Sequence, residues 1–343
     1  MKKMILAVLL PVLPLTAYAD ANVNTDAGSS MPALTALVDE THDFVSNQIT
    51  DWIDNVDQFF GEEKFLDREN GSQLLVRYQA TYDNASMLYE PKLRIRIDLP
   101  RTKQKLRLMI ETREADQGGA SVDDNASGLS SGTNSSEPDF FSTALQLVIT
   151  MSDDVQLNAR TGIAFRDGLD PFGLLSGYAR KSLGAWNVRA SQYIYQYARA
   201  GFGEETIFDV DRKLFDNMLL RFSSNLNWWY LARQFEASQS ASLITSFTPS
   251  FAVSFNAVSE QASSGGWHNS NNFIFTSARW RFYKKWAFLQ LTPQLTFRPE
   301  DYKPDPSITL GLEMLFGRSV DRQNFPHRPK KMETLEGPQR RYH

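Results

Sequence analysis

Residues 92 to 99 read Lys-Leu-Arg-Ile-Arg-Ile-Asp-Leu, and this strict alternation constrains the chain more than any other feature. Side chains on a strand point to opposite faces with a period of two. Leu93, Ile95, Ile97 and Leu99 therefore share one wall, and Lys92, Arg94, Arg96 and Asp98 the other. Residues 105 to 112 repeat the pattern, with Leu106, Leu108 and Ile110 opposed to Lys105, Arg107 and Glu111. The turn Pro100 to Lys103 closes the two into a hairpin with one apolar and one charged wall.

Comparable segments continue to residue 316. Strands are expected near 72–82, 91–99, 104–113, 140–150, 155–165, 173–182, 186–197, 204–213, 218–229, 234–247, 250–260, 271–283, 287–298 and 307–316. That is about fourteen, with 12 to 16 as the range, because 198–217 is ambiguous and the alternation breaks near 192 and 278. Each is long enough to cross a bilayer when tilted. Short turns (Pro100–Lys103, Met151–Asp154, Leu183–Ala185, Leu214–Asn217, Thr248–Pro249, Tyr283–Trp286) alternate with longer loops (83–90, 114–139, 166–172, 261–270, 299–306). The segment 114–139, rich in Gly, Ser, Asn and Asp, is expected to be a mobile external loop. Aromatic residues gather at strand ends (Tyr78, Tyr82, Trp186, Trp228, Trp229, Tyr230, Trp280, Phe282, Tyr283, Trp286), as two interfacial girdles require. Pro293 removes one ladder donor and is expected to mark a bulge or distortion.

The N-terminal part has a different character. Lys2 and Lys3, the apolar run Met4 to Leu15 and Ala17-Tyr18-Ala19 read as a secretory signal peptide over 1–19. Its removal takes the formal charge from −4 to −6. Residues 20–31 are a small, polar, flexible start. From 32 to 61 apolar residues recur at spacings of three and four, from Leu34 through Trp52, Ile53, Val56, Phe59 and Phe60, opposite Asp39, Glu40, Asp43, Asp51, Asp54 and Asp57. This predicts one amphipathic helix with an acidic solvent face, stopped at Gly61. Its apolar stripe needs a cover, either a periplasmic partner and the barrel rim or the lumen as a plug. The rim is favoured, since a polar lumen houses Trp52, Phe59 and Phe60 badly. Beyond the signal no apolar stretch reaches 18 residues, so a membrane-crossing form of this chain has to be a closed barrel.

In the last strand Thr309, Gly311, Met314 and Phe316 form a polar-x-Gly-x-x-apolar-x-aromatic pattern. The pattern resembles the assembly signal of bacterial outer-membrane β-barrel proteins, and the resemblance extends over the signal peptide and residues 70–317. It implies an all-β transmembrane antiparallel barrel in the outer membrane. The partners it implies are outer-membrane lipid, lipopolysaccharide and the barrel-assembly machinery. A tail at 318–343 departs from that pattern, because the signal usually ends the chain. From Gly317 onward it carries seven Lys+Arg against three Asp+Glu and is expected in the periplasm.

With the apolar faces toward lipid, the lumen is lined by Arg77, Lys92, Arg94, Arg96, Lys105, Arg107, Arg113, Arg160, Arg189, Arg221 and Arg298. The acids Asp98, Glu111, Asp209, Asp211 and Glu313 oppose them. Such a wall concentrates anions in a wet conduit, which points to a porin-like channel for small solutes, anions being the candidate class. The alternative is a lumen filled by ion pairs, in a non-conducting barrel acting as a structural or envelope-assembly partner through helix 32–60 and the tail. A lipid-modifying hydrolase ranks below both. His268 lies near Ser263, Ser264 and Asn269 only in sequence, and no Gly-x-Ser-x-Gly element is present. With no Cys, four His and net acidity, no cofactor, metal or nucleic acid is expected.

Overall fold

In a computed structural model of the chain, the described residues are Ile53, Val56, Phe59, Phe60 and 72–99, 106–113, 140–150, 154–165, 168–199, 201–231, 233–263, 266–284 and 286–317. The expected signal peptide (1–19), flexible start (20–31), loop 114–139 and tail (318–343) lie outside them. So does the expected helix 32–61, apart from four residues.

Fourteen strands follow in chain order: β1 (Gln73–Asp83), β2 (Ser86–Asp98), β3 (Leu106–Arg113), β4 (Phe140–Thr150), β5 (Val155–Phe165), β6 (Leu169–Leu183), β7 (Trp186–Tyr197), β8 (Gly201–Phe215), β9 (Met218–Trp229), β10 (Gln234–Thr248), β11 (Phe251–Ala262), β12 (His268–Tyr283), β13 (Ala287–Phe297) and β14 (Pro304–Gly317). Each pairs antiparallel with the next, and β1 pairs with β14, so the sheet closes without an edge. Closure is what lets a sheet sit in lipid, since every strand finds backbone partners on both sides.

Period-two burial fixes the two surfaces. On β1 Gln73, Leu75, Arg77 and Gln79 are buried, while Val76 and Tyr78 are exposed. On β4 Ser142, Ala144, Gln146 and Val148 point inward, and Phe141, Leu145, Leu147 and Ile149 stand on the outside. Large apolar side chains on the exterior, such as Phe208, Phe222, Phe255, Ile274, Leu291 and Leu310, make a belt that only lipid covers favourably.

The rim carrying the start of β1 and the end of β14 has short turns at 184–185, 216–217, 249–250 and 284–286. Short turns mark the periplasmic side of such a barrel. Both rims carry outward aromatics. Trp286 stacks on Phe316 at 5.2 Å and packs against Tyr283 at 5.4 Å on the periplasmic side. Trp228 stacks on Phe235 at 5.9 Å, and Phe235 on Trp267 at 6.4 Å, on the other. Trp229 is a correction to the expected girdle: it faces inward and packs against Tyr195 at 4.8 Å.

One local expectation also changes, and the one at Pro293 takes definite form. The stretch 83–90 is a two-residue turn, Asn84-Ala85, with φ of 44° and 66°, and pairing runs on unbroken from Asp83↔Ser86. Met87-Leu88-Tyr89 followed by Pro91 hides the alternation there. At Pro293, β12 and β13 pair on either side, at Phe275↔Gln294 and Ala278↔Leu291, but not across it, while the β14 register continues. The missing N–H distorts one ladder only.

Candidate functional site: the barrel lumen

The inward faces of β1, β2, β3 and β5 bring together Arg77, Arg94, Arg96, Arg107 and Arg160. Lys92 sits on the same face of β2, in register with Arg77. Lys105 and the side chain of Arg113 lie outside the described residues, and Arg298 stands at the outer rim, paired with Asp305 at 2.8 Å. The wall is not uniformly basic. Glu205, Asp209 and Asp211 on β8, Glu236 on β10 and Glu260 on β11 share the inward parity of an arc facing β1–β5 across the ring. Each arc holds counter-charges within it. The alternation places these acids on the lumen face, but only Asp209 and Asp211 entered the list of opposing charges.

Cross-strand register makes the pairs. Arg94 lies opposite Glu111, with Nε 3.4 Å from Oε2, and Arg160 donates to the other oxygen of Glu111 at 3.1 Å and to Gln146 at 3.1 Å. Arg107 lies opposite Asp98 at 3.3 Å. Across the lumen Arg189 donates twice to Asp209, at 2.7 and 2.9 Å, and Ser223 donates to the second oxygen at 2.7 Å. Arg221 donates to both oxygens of Asp211, at 2.7 and 3.1 Å. Glu313 bridges two arginines, taking Arg77 at 2.8 Å and Arg279 at 2.5 Å. Arg279 is 1% exposed and Arg107 2%, so these cations are enclosed. Paired in this way, the charges are pinned in place; breaking one buried pair by removing a single partner typically costs about 3–5 kcal/mol.

Arg279 was absent from the expected lumen set. Its strand loses its visible alternation because Phe273 and Phe275 also point inward, packing with Val258. A second inward apolar group, Phe172, Tyr195 and Tyr197 with Leu174, Tyr193 and Trp229, lines the outer half of β6, β7 and β9. Gly203 lies opposite Tyr195 in the ladder, and a Cβ there would overlap the Tyr195 ring.

A third inward apolar patch sits at the periplasmic mouth: Leu219, Ile244, Ala252 and Phe288, from β9, β10, β11 and β13. Ile53, Val56, Phe59 and Phe60 are helical and pack on it, each 4% exposed or less. The Phe59 ring meets Phe288 edge-on at 6.0 Å, and the Arg279 guanidinium covers the Phe288 ring at 4.4 Å. The rest of the expected helix, and with it the choice between rim and lumen, lies outside the described residues. The inward wall houses these rings because its polar lining is interrupted there by four apolar residues at inward positions. Burial of such side chains is worth about 1.5–3 kcal/mol each.

Of the residues weighed for a hydrolase, His268 and Ser263 are among the described ones, and each contacts backbone. His268 Nδ1 lies 2.9 Å from the Gly266 carbonyl, and the Ser263 hydroxyl accepts from the Phe235 N–H at 2.7 Å. Among the described residues no three His, Asp or Glu gather as metal ligands.

The assembly-signal residues lie on β14. Thr309 is buried and bonded to Thr81 at 2.9 Å, Gly311 faces in, and Met314 and Phe316 face out. A closed barrel with an apolar exterior, two aromatic girdles and a charged lumen is the architecture of bacterial outer-membrane proteins. The chain is an outer-membrane β-barrel.

No family model matches the sequence, and no curated protein does. Among solved structures, OmpF of Salmonella typhi, in complex with daunomycin, is similar at 7% identity and TM-score 0.45, over 71% of this chain and 97% of its own. A loop-deletion form of OmpT, an outer membrane protein of Vibrio cholerae, is similar at 10% identity and TM-score 0.41, over 72% and 100%. The KdgM porin is similar at 4% identity and TM-score 0.36, over 71% and 99%.

Proposed function

We propose that the protein is a porin-like outer-membrane channel for small polar solutes, with the arginines of β1–β5 attracting solutes that carry an anionic group. The observation that supports this reading is the lumen wall itself. Charged and amide side chains line a closed barrel whose outside is apolar, and their two arcs of opposite sign face one another. Eight strands enclose only side chains and 16 to 18 leave an aqueous channel; fourteen leave room for a conduit between pinned charges. Pinning matters because fixed charges in a low-dielectric surround focus the field on a passing ion.

A second reading, a non-conducting barrel serving envelope structure or assembly, draws on the enclosure of Arg107 and Arg279. Single-channel current from refolded protein in a planar bilayer under a salt gradient separates the two. The channel gives discrete openings with anion preference, and Arg94→Glu with Arg96→Glu lowers the anion-to-cation permeability ratio by about twofold or more. A folded, inserted protein that passes no current supports the second reading.

A further inference from the structure

We propose that the outward face of β9–β11 is a contact surface for a second copy of this chain in the membrane, and that Gln239 of each copy hydrogen-bonds to Gln239 of the other. Gln239 stands at an outward position in the middle of this face and is exposed. Its register partners are Ser224 on β9 and Ser259 on β11. It lies four residues along β10 from Phe235, whose ring stacks on Trp228 in the outer girdle. The usual strand rise and tilt put its amide about 10 Å below that girdle, inside an apolar band about 25 Å tall. The hydrocarbon there offers an amide no hydrogen bond, and the headgroups are out of its reach.

Other outward amides of the wall are satisfied within the barrel. Gln192 accepts from Thr206 at 2.7 Å, Gln196 donates to the Tyr197 carbonyl at 3.0 Å, and Asn272 exchanges hydrogen bonds with Asn269 at 2.6 and 3.0 Å. Among the described residues Gln239 makes no such bond. The side chains around it are small: Ala237 and Ala241 on its own strand, and Ala257 opposite Ala241 on β11, in a wall that elsewhere carries large rings. Small residues let two protein surfaces approach closely in lipid, and polar side chains then hold them together. A partner for Gln239 has to supply a donor and an acceptor at the same depth. A second copy inserted the same way does so by construction. A two-fold axis along the membrane normal beside Gln239 sets two primary amides face to face, each donating once and accepting once.

The chain has no cysteine, so Asp216→Cys, in the exposed turn between β8 and β9, takes a single dye. Donor-labelled and acceptor-labelled copies, refolded together into vesicles at a low protein-to-lipid ratio, should show energy transfer above the level of random encounters, and unlabelled wild type should compete it away. Gln239→Leu should weaken the association by about fivefold or more. Ala241→Trp, which fills the space a second wall needs, should abolish the transfer. Leu145→Trp, outward on β4 at the far side of the ring, should leave it unchanged. Each variant is first shown to be folded by heat-modifiable gel mobility. Transfer that survives both β10 substitutions, or that Leu145→Trp removes equally, overturns the proposal. Folded wild-type copies that stay apart leave this face to lipid or to a different membrane protein, and overturn it as well. Association is read without current, so either result stands apart from the channel reading.

Discussion

Replacing Glu313 by Gln should lower the stability of the barrel by about 3–5 kcal/mol, because it leaves two enclosed guanidinium groups around one neutral amide. Arg77 is the register partner of Glu313 on neighbouring β1, and Arg279 reaches Glu313 from β12, two strands away across Gln290 of β13. All three are 4% exposed or less, so water cannot take over the role of the carboxylate. The measurement is urea unfolding from lipid vesicles, followed by emission of the seven tryptophans. Glu313→Leu with Arg77→Met and Arg279→Met should recover much of the loss, since apolar replacement then removes the carboxylate together with both of its cationic partners. An unchanged midpoint in Glu313→Gln would mean that the bridge contributes nothing net.

The strands were legible because lipid outside and charge inside impose opposite chemistry on alternate residues. The 155–165, 186–197 and 218–229 segments stand where the alternation puts them. The break near 192 has a plain cause: Gln192 is an outward amide, taking a hydrogen bond from its ladder neighbour Thr206 at 2.7 Å. The lumen was legible only where its residues are charged. Arg77, Arg94, Arg96, Arg107 and Arg160 declare themselves by type, whereas Leu219, Ile244, Ala252 and Phe288 look like any lipid-facing residue. Phe251-Ala252-Val253 is apolar at all three positions, so period two cannot say which side chain turns inward. The inward apolar patch becomes visible only when the register sets Ala252 on the same side as Ser254 and Asn256. Trp229 illustrates the same limit, since an aromatic at a strand end fits a girdle and a lumen cluster equally well.

Gly162→Val should abolish assembly, whereas Gly173→Val, one strand away, should leave it intact. Gly162 lies opposite Ala144 in the β4–β5 ladder, and a Cβ there would overlap the Thr143 carbonyl oxygen and the Ala144 Cα and Cβ. Two of those three atoms are backbone, so no rotamer change relieves the contact; the hairpin has to open or shift register. A one-residue shift would turn the arginine of β5 toward lipid, and an open ladder would leave two unpaired edges in a medium with no water to satisfy them. Gly173 on β6 faces outward with nothing within 4 Å of its Cβ position, and an added isopropyl group there meets only lipid. Heat-modifiable gel mobility after refolding reads both variants: Gly173→Val should give the compact band, and Gly162→Val only the unfolded one. A compact, stable Gly162→Val barrel would require the β4–β5 backbones to stand farther apart than a shared ladder allows, and would displace Arg160 from Glu111 and Gln146.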